Sequence, residues 1–204
     1  MLRISFHENN PNKRDLKKVV DLLNEGAVII FPTDTLYAMG CLMTNRNGIE
    51  KICRILDKKE KVTKMSLICP SISVVSQYTQ QIENQVFKTM KRYLPGPYTF
   101  VLNSNNLVQK FFKNSRQEIG IRIPNHVILQ ELLAMLDSPL ISTSLNTDGE
   151  KEYIYNEPEE IENTFRHQVD VLIDTGIGLI GESTVINCTG SEMEIIREGI
   201  GPIE

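Results

Sequence analysis

Two periods of apolar residues run through this chain. From Lys13 to Glu25, Val19, Val20, Leu22 and Leu23 recur at helical spacing, which predicts a helix with Asn12 as its N-cap and Gly26 closing it. The run Val28-Ile29-Ile30-Phe31 then predicts a buried strand that Pro32 stops, because proline has no N–H for a ladder. Ile49, Ile52, Cys53 and Leu56 place a second helix over Asn47 to Leu56. Met65 to Cys69 is a short apolar strand ending at Pro70. Helices are predicted over Ser73 to Tyr78, Gln80 to Tyr93, Leu107 to Phe112, Val127 to Leu136 and Pro158 to Phe165. Strands are predicted over Leu2 to Phe6, Tyr98 to Leu102, Ile119 to Ile123, Pro139 to Ser142, Val169 to Asp174, Ser183 to Ile186 and Met193 to Arg197. Helices and strands alternate irregularly, and hairpin-like pairs come late. That order implies an α/β chain with a mixed sheet and helices packed on it, in one domain over residues 1–204, with no repeat and no linker.

Composition narrows this little. Apolar residues are 41% and charged residues 24%, an ordinary globular balance. No apolar run reaches the ~20 residues that span a bilayer, and Met1 to Asp15 has no secretory apolar core, so the expectation is a cytoplasmic chain without membrane contact. Cys41, Cys53, Cys69 and Cys188 lack metal-ligand spacing and read as reduced, mostly buried thiols. Net charge is −4, against a generic nucleic-acid binder. Its distribution is uneven: Lys51 to Lys64 holds six basic residues against Asp57 and Glu60. That stretch is either a solvated helix face and loop or an anion-attracting patch.

Candidate chemistry collects at strand ends. Thr33-Asp34-Thr35 follows the Val28–Phe31 strand, Ser142-Thr143-Ser144 ends another and Ser183-Thr184 opens a third. Taken alone, Thr33-Asp34-Thr35 reads as a capped turn ahead of one wall of a ligand site, and other stretches must decide. Arg122 lies inside the apolar strand Ile119–Ile123, where a charge is costly unless paired or turned to a ligand. Arg197 ends the run Ile195-Ile196. Either arginine serves as a salt bridge or as a carboxylate or phosphate fork. His7, His126 and His167 are isolated, and GxSxG, GxxxxGK[ST] and GxGxxG are all absent. A covalent nucleophile is therefore not expected; an enzyme that positions and polarises a phosphate-bearing substrate needs only cations, hydroxyls and backbone N–H groups.

Six blocks in order resemble the YrdC-like family: Phe31–Cys41 (FPTDTLYAMGC), Pro95–Leu102 (PGPYTFVL), Gly120–Pro124 (GIRIP), Pro139–Asn146 (PLISTSLN), Ser183–Ile186 (STVI) and Ile196–Gly199 (IREG). The resemblance implies a twisted mixed sheet with a concave, positively lined face. It also implies an activity like that of threonylcarbamoyl-AMP synthases, which join L-threonine, bicarbonate and ATP, with Mg2+ accompanying the nucleotide, for the t6A modification of tRNA position 37. Carried over by motif, Thr35, Arg122, Ser142 and Ser183 would hold the amino acid, and Ser144, Asn146 and Arg197 the nucleotide. The family's phosphate-binding Lys-x-Arg has no full match in Asp57–Lys64 (DKKEKVTK), where Lys58, Lys59 and Lys61 are the candidate substitutes. That departure, with Ser142-Thr143-Ser144-Leu145, looks closer to the YciO branch. It leaves two further readings: a non-catalytic module for tRNA or double-stranded RNA, and an enzyme activating another small acid. Oligomeric state is not legible.

Overall fold

The computed structural model describes residues 1–7, 10–57, 59–60, 63–112, 117–147 and 153–203, with the side chains of Asn146 and Thr147 outside that description. In chain order the elements are β1 (Leu2–Ser5), α1 (Lys13–Asn24), β2 (Ile29–Phe31), β3 (Ala38–Leu42), α2 (Arg46–Ile55), β4 (Ser66–Ile68), α3 (Ile72–Val75) and α4 (Asn84–Tyr93). Then come β5 (Tyr98–Asn103), α5 (Asn106–Gln109), β6 (Glu118–Arg122), α6 (Val127–Ala134), β7 (Leu140–Ser144), β8 (Asn146–Thr147) and β9 (Tyr153–Ile154). The last are α7 (Pro158–Phe165), β10 (Val171–Asp174), β11 (Thr184–Asn187) and β12 (Glu194–Arg197).

Local signals start and stop these elements. Asn12 accepts a hydrogen bond from the N–H of Arg14 at the head of α1. Gly26, at φ +98°, ends it: its N–H bonds the Leu23 carbonyl and that of Ala27 bonds Leu22, a pairing that needs the left-handed conformation glycine adopts without penalty. Asn45 then joins two helices, accepting from the Gly48 N–H at the start of α2 and donating to the Gly26 carbonyl. His126 accepts from the Leu129 N–H and caps α6, a structural role for one of the isolated histidines.

Ten strands form one mixed sheet in the order β1-β10-β2-β3-β7-β4-β6-β5-β11-β12, so both ends of the chain enter the same sheet. The mixed α/β architecture expected from the alternation is what the structure has: β1, β10 and β2 run parallel, while β3 and β7 are antiparallel to each neighbour. β3 was not expected as a strand. Its five residues are all buried, so period-two alternation is missing, and Gly40 interrupts the apolar run. The β8–β9 hairpin was likewise missed, and the helix expected over Ser73–Tyr78 is only Ile72–Val75.

The two faces of the sheet are covered differently. One packs Met39, Leu67, Phe100, Ile121 and Ile141 against Ile49, Ile52, Val75 and Met90 from α2, α3 and α4. On the other face, Ile29, Phe31, Leu42, Ile68 and Leu140 pack against Leu16, Val19 and Leu23 of α1 and Ile128, Leu129 and Leu132 of α6. Register shows where that cover ends. Leu42, Leu140, Ile68 and Arg122 form one row across β3, β7, β4 and β6; Gly40, Ser142, Ser66 and Gly120 form the next on the same face. The row changes from branched aliphatics to glycine and serine, and the second row floors a cavity rather than a helix contact.

The core also stores an alkaline liability. Cys41 and Cys69 are buried free thiols whose pKa burial pushes up to about 12, against an ordinary 9.0. Unfolded chains shed those protons first as pH rises, so stability is full below about pH 9 and falls toward pH 12, by about 1.4 kcal/mol per pH unit for each thiol. Urea unfolding from pH 8 to 10.5 is expected to show that decline, flattened in Cys69→Ala. Alkylation at pH 8 as fast in the native as in the unfolded protein would contradict it.

Candidate functional site

Beyond the cover of α1 and α6, the same face of the sheet borders a cavity of about 430 Å³. Its floor comes from Ser66 of β4, Gly120 of β6, Thr99 of β5 and Ser142 of β7. The floor depends on small residues: a Cβ at Gly120 would stand 2.4 Å from Ser66 Oγ and 3.1 Å from Thr99 Cγ2. Arg122, Ser144, Ser183 and Arg197 stand around it, with Lys64 and Glu118 exposed at the margin. The lining is cationic by three groups to one.

Arg122 is nearly out of water, with its side chain 8% exposed and that of its partner Asp34 9% exposed. Its Nη2 donates to Asp34 Oδ1 at 2.7 Å and to Thr35 Oγ1 at 2.8 Å. Asp34 Oδ2 accepts from the Asn125 N–H at 2.8 Å. Thr33 Oγ1 donates to the Leu36 carbonyl and accepts from the Thr35 N–H, so the Thr35 hydroxyl must donate to Thr33 Oγ1, 2.9 Å away. A directed chain results, from guanidinium to Thr35 to Thr33 to Leu36 carbonyl. Burial pulls the Arg122 pKa below its ordinary value, and Asp34 opposes that pull. Arg122 Nε is enclosed with no partner among the described residues. Arg122 lines the cavity; with Nη2 engaged and Nε enclosed, Nη1 is the nitrogen whose donors remain for a ligand.

Arg197 faces it from β12. Its Nε donates to the Ser183 carbonyl at 3.1 Å, Nη2 to Ser183 Oγ at 3.2 Å, and Nη1 pairs with Glu182 at 2.8 Å. Ser183 Oγ also meets Thr99 Oγ1 at 2.7 Å. The two arginines feel each other's charge, so an anion placed between them relieves a repulsion as well as gaining contacts.

The structure therefore brings Arg122, Ser142, Ser144, Ser183 and Arg197 to one cavity. Thr35 is buried behind Arg122 and does not line the wall. Asn146 lies in β8, with its side chain outside the described residues. Lys58 and Lys61 also lie outside them; Lys59 is exposed, away from the lining, with its carbonyl bonded by Thr63. Glu60, in the stretch compared with Lys-x-Arg, instead pairs with Arg46 at 2.9 Å, and Arg46 also bonds the Phe111 carbonyl. Of the basic stretch, Lys51 is paired with Asp170 and Lys64 lines the cavity. Sequence reasoning missed Lys64, Ser66, Thr99 and the support given by Asp34. Lys64 was indistinguishable from neighbouring lysines, whereas Ser66 and Thr99 carried a usable signal, being polar residues inside apolar strands. No cluster of three or more His, Cys, Asp or Glu suited to a metal occurs among the described residues, and none of their helices is long and apolar enough to cross a membrane.

A family model named Sua5_yciO_yrdC, described as Telomere recombination, matches residues 21–199. The Escherichia coli K12 protein described as Uncharacterized protein YciO is 36% identical over 200 residues, covering 98% of this chain and 96% of that one. The E. coli YciO crystal structure superposes with a TM-score of 0.90 over 99% of this chain and 98% of the other. A Vibrio vulnificus threonylcarbamoyl-AMP synthase is 27% identical over 194 residues, 91% of this chain and 98% of the relative. The crystal structure of Pyrococcus abyssi Sua5 complexed with L-threonine shares the fold at TM-score 0.88 and 22% identity, over 98% of this chain and 58% of that one.

Removing either partner of the Arg122–Asp34 pair leaves the other charge buried. Arg122→Ala and Asp34→Ala are each expected to cost about 3–5 kcal/mol, and the double variant less than their sum by about 2–3 kcal/mol. Denaturant melts of the four proteins measure this; additivity within about 0.5 kcal/mol would contradict the pair as drawn.

Proposed function

The chain belongs to the Sua5/YciO/YrdC family, and from that membership we propose that it activates a small amino acid with ATP, as a threonylcarbamoyl-AMP synthase does. The observation that carries the reading is Arg122, clamped through Nη2 and facing the cavity opposite Arg197. Two guanidiniums across a hydroxyl-floored cavity suit a substrate pair with a carboxylate at one end and phosphates at the other.

In the proposed reaction the amino nitrogen of L-threonine takes up bicarbonate with loss of water, giving a carbamate. A carbamate oxygen then attacks the α-phosphorus of ATP; the bond from that phosphorus to the bridging oxygen breaks, and pyrophosphate leaves. No protein nucleophile is required, so the chain's work is placement and charge stabilisation. Arg122 takes the amino-acid carboxylate, with Thr35 acting through its hydrogen bond to Arg122, and Ser142 and Ser183 lie beside it. Ser144, Asn146 and Arg197 take the nucleotide. Lys64, which lines the cavity, joins Lys58 and Lys61 as the cations for its phosphates, in place of the Lys-x-Arg this chain lacks; Lys59, exposed away from the lining, is not among them. Glu118 is the one carboxylate among the described lining residues, which fits magnesium held chiefly by the phosphates it accompanies. The product would feed the t6A modification of tRNA.

Purified protein with ATP, magnesium and bicarbonate is expected to release pyrophosphate only when L-threonine is added. Arg122→Lys should raise the KM for threonine about tenfold, since lysine lacks the planar fork; Lys64→Ala should raise the KM for ATP and leave that for threonine unchanged. Release that depends on another amino or small acid would keep the scaffold and change the substrate. Folded protein with no acid-dependent release would sink the proposal.

A further inference from the structure

Asp34 touches both the site and the frame around it. One carboxylate oxygen accepts from Arg122 Nη2, and the other accepts from the Asn125 N–H, just before the His126 cap of α6. The carboxylate therefore spans from the β6 side chain to the segment that starts α6. It does not line the cavity.

The way Arg122 is held points to an imposed orientation. Both Nη2 hydrogens have acceptors, Asp34 Oδ1 and Thr35 Oγ1, which fix a planar guanidinium in position and in rotation. Nε is enclosed with no acceptor among the described residues, which costs the desolvation of a buried donor. A guanidinium free to satisfy itself would turn to pair Nε. Here it is held otherwise, in an orientation that keeps Arg122 in the cavity lining and leaves Nη1 as the nitrogen with donors for a ligand.

We propose that Asp34 is a positioning residue: anchored by the Asn125 N–H, it holds the Arg122 guanidinium by Nη2 so that Nη1 is presented to the carboxylate of an acid substrate, without meeting the substrate itself. The inference deepens the proposed function and rests on it for the identity of the ligand, but not for how Arg122 is held. Asp34→Asn separates the parts. An amide has one oxygen, so it serves Arg122 or Asn125 but not both, and it brings no charge.

The test reads the guanidinium directly. In 15N-labelled full-length protein, the Arg122 Nε–H resonance is assigned by its loss in Arg122→Lys, and its exchange with solvent is measured. Asp34→Asn is expected to speed that exchange about tenfold or more, because the side chain gains freedom. Asp34→Glu, which restores the charge one methylene away, should recover part of the protection. In pyrophosphate release, Asp34→Asn should raise the KM for L-threonine about tenfold while kcat and the KM for ATP stay within about twofold. If Asp34→Asn does not fold, the shift of the Arg122 signal in Asp34→Glu is the readout. Unchanged exchange in a folded Asp34 variant overturns the inference, as does a fall in kcat with an unchanged threonine KM, the pattern of a purely structural role. If the unsubstituted protein shows no threonine-dependent release, the functional reading fails by itself, and the exchange measurement still decides the role of Asp34.

Discussion

Arg122 stands where the apolar cover on one face of the sheet gives way to the polar floor, and burying its guanidinium there costs several kcal/mol unless acceptors are waiting. Much of the local architecture is explained by supplying them. The Thr33-Asp34-Thr35 turn after β2 brings a carboxylate and a hydroxyl to Nη2. Thr33 is saturated by its own neighbours, which fixes the Thr35 hydroxyl as an acceptor toward the arginine. Asn125 ties the far side of Asp34 to the approach to α6. The turn that looked like a strand cap is thus also the counter-charge of a residue 88 positions away.

That arrangement makes sense only because the described helices leave part of this face of the sheet to a cavity. α1 and α6 cover the rows holding Leu42, Leu140 and Ile68, and the adjoining row of Gly40, Ser142, Ser66 and Gly120 is too small and polar to bind a helix face. Small residues make depth, and depth lets side chains at the margin converge on one volume. Arg122 and Arg197 both line that volume, each already matched to a carboxylate, Asp34 and Glu182. Both are held without being spent, a preorganised setting for anionic substrates. The Arg46–Glu60 pair adds a local constraint beside it, tying the stretch before Lys64 to α2.

Strong local signals made much of the fold legible. Pro158–Phe165 was expected with the bounds it has, and Asn12 and Gly26 marked the ends of α1 through cap chemistry that depends on a few adjacent residues. β3 was illegible because a strand buried on both faces loses its alternation, and Gly40 argues locally against a strand while serving close approach to the Ile141 carbonyl. In the site, Arg122 announced itself as a charge in an apolar strand. Its partner did not: Asp34 looks like ordinary turn chemistry until β6 is known to lie across from it. Lys64 differs from Lys59 only in where the backbone turns, which composition does not encode.

The cavity on this face of the sheet is proposed to bind an acid and a nucleotide around Arg122. A crystal structure of the protein soaked with ATP and L-threonine tests it most directly. The amino-acid carboxylate is expected within hydrogen-bonding distance of the Arg122 guanidinium, with the nucleotide toward Arg197 and Asp34 unmoved against Nη2. Either ligand ordered elsewhere, or an empty cavity at saturating concentrations of both, would contradict it.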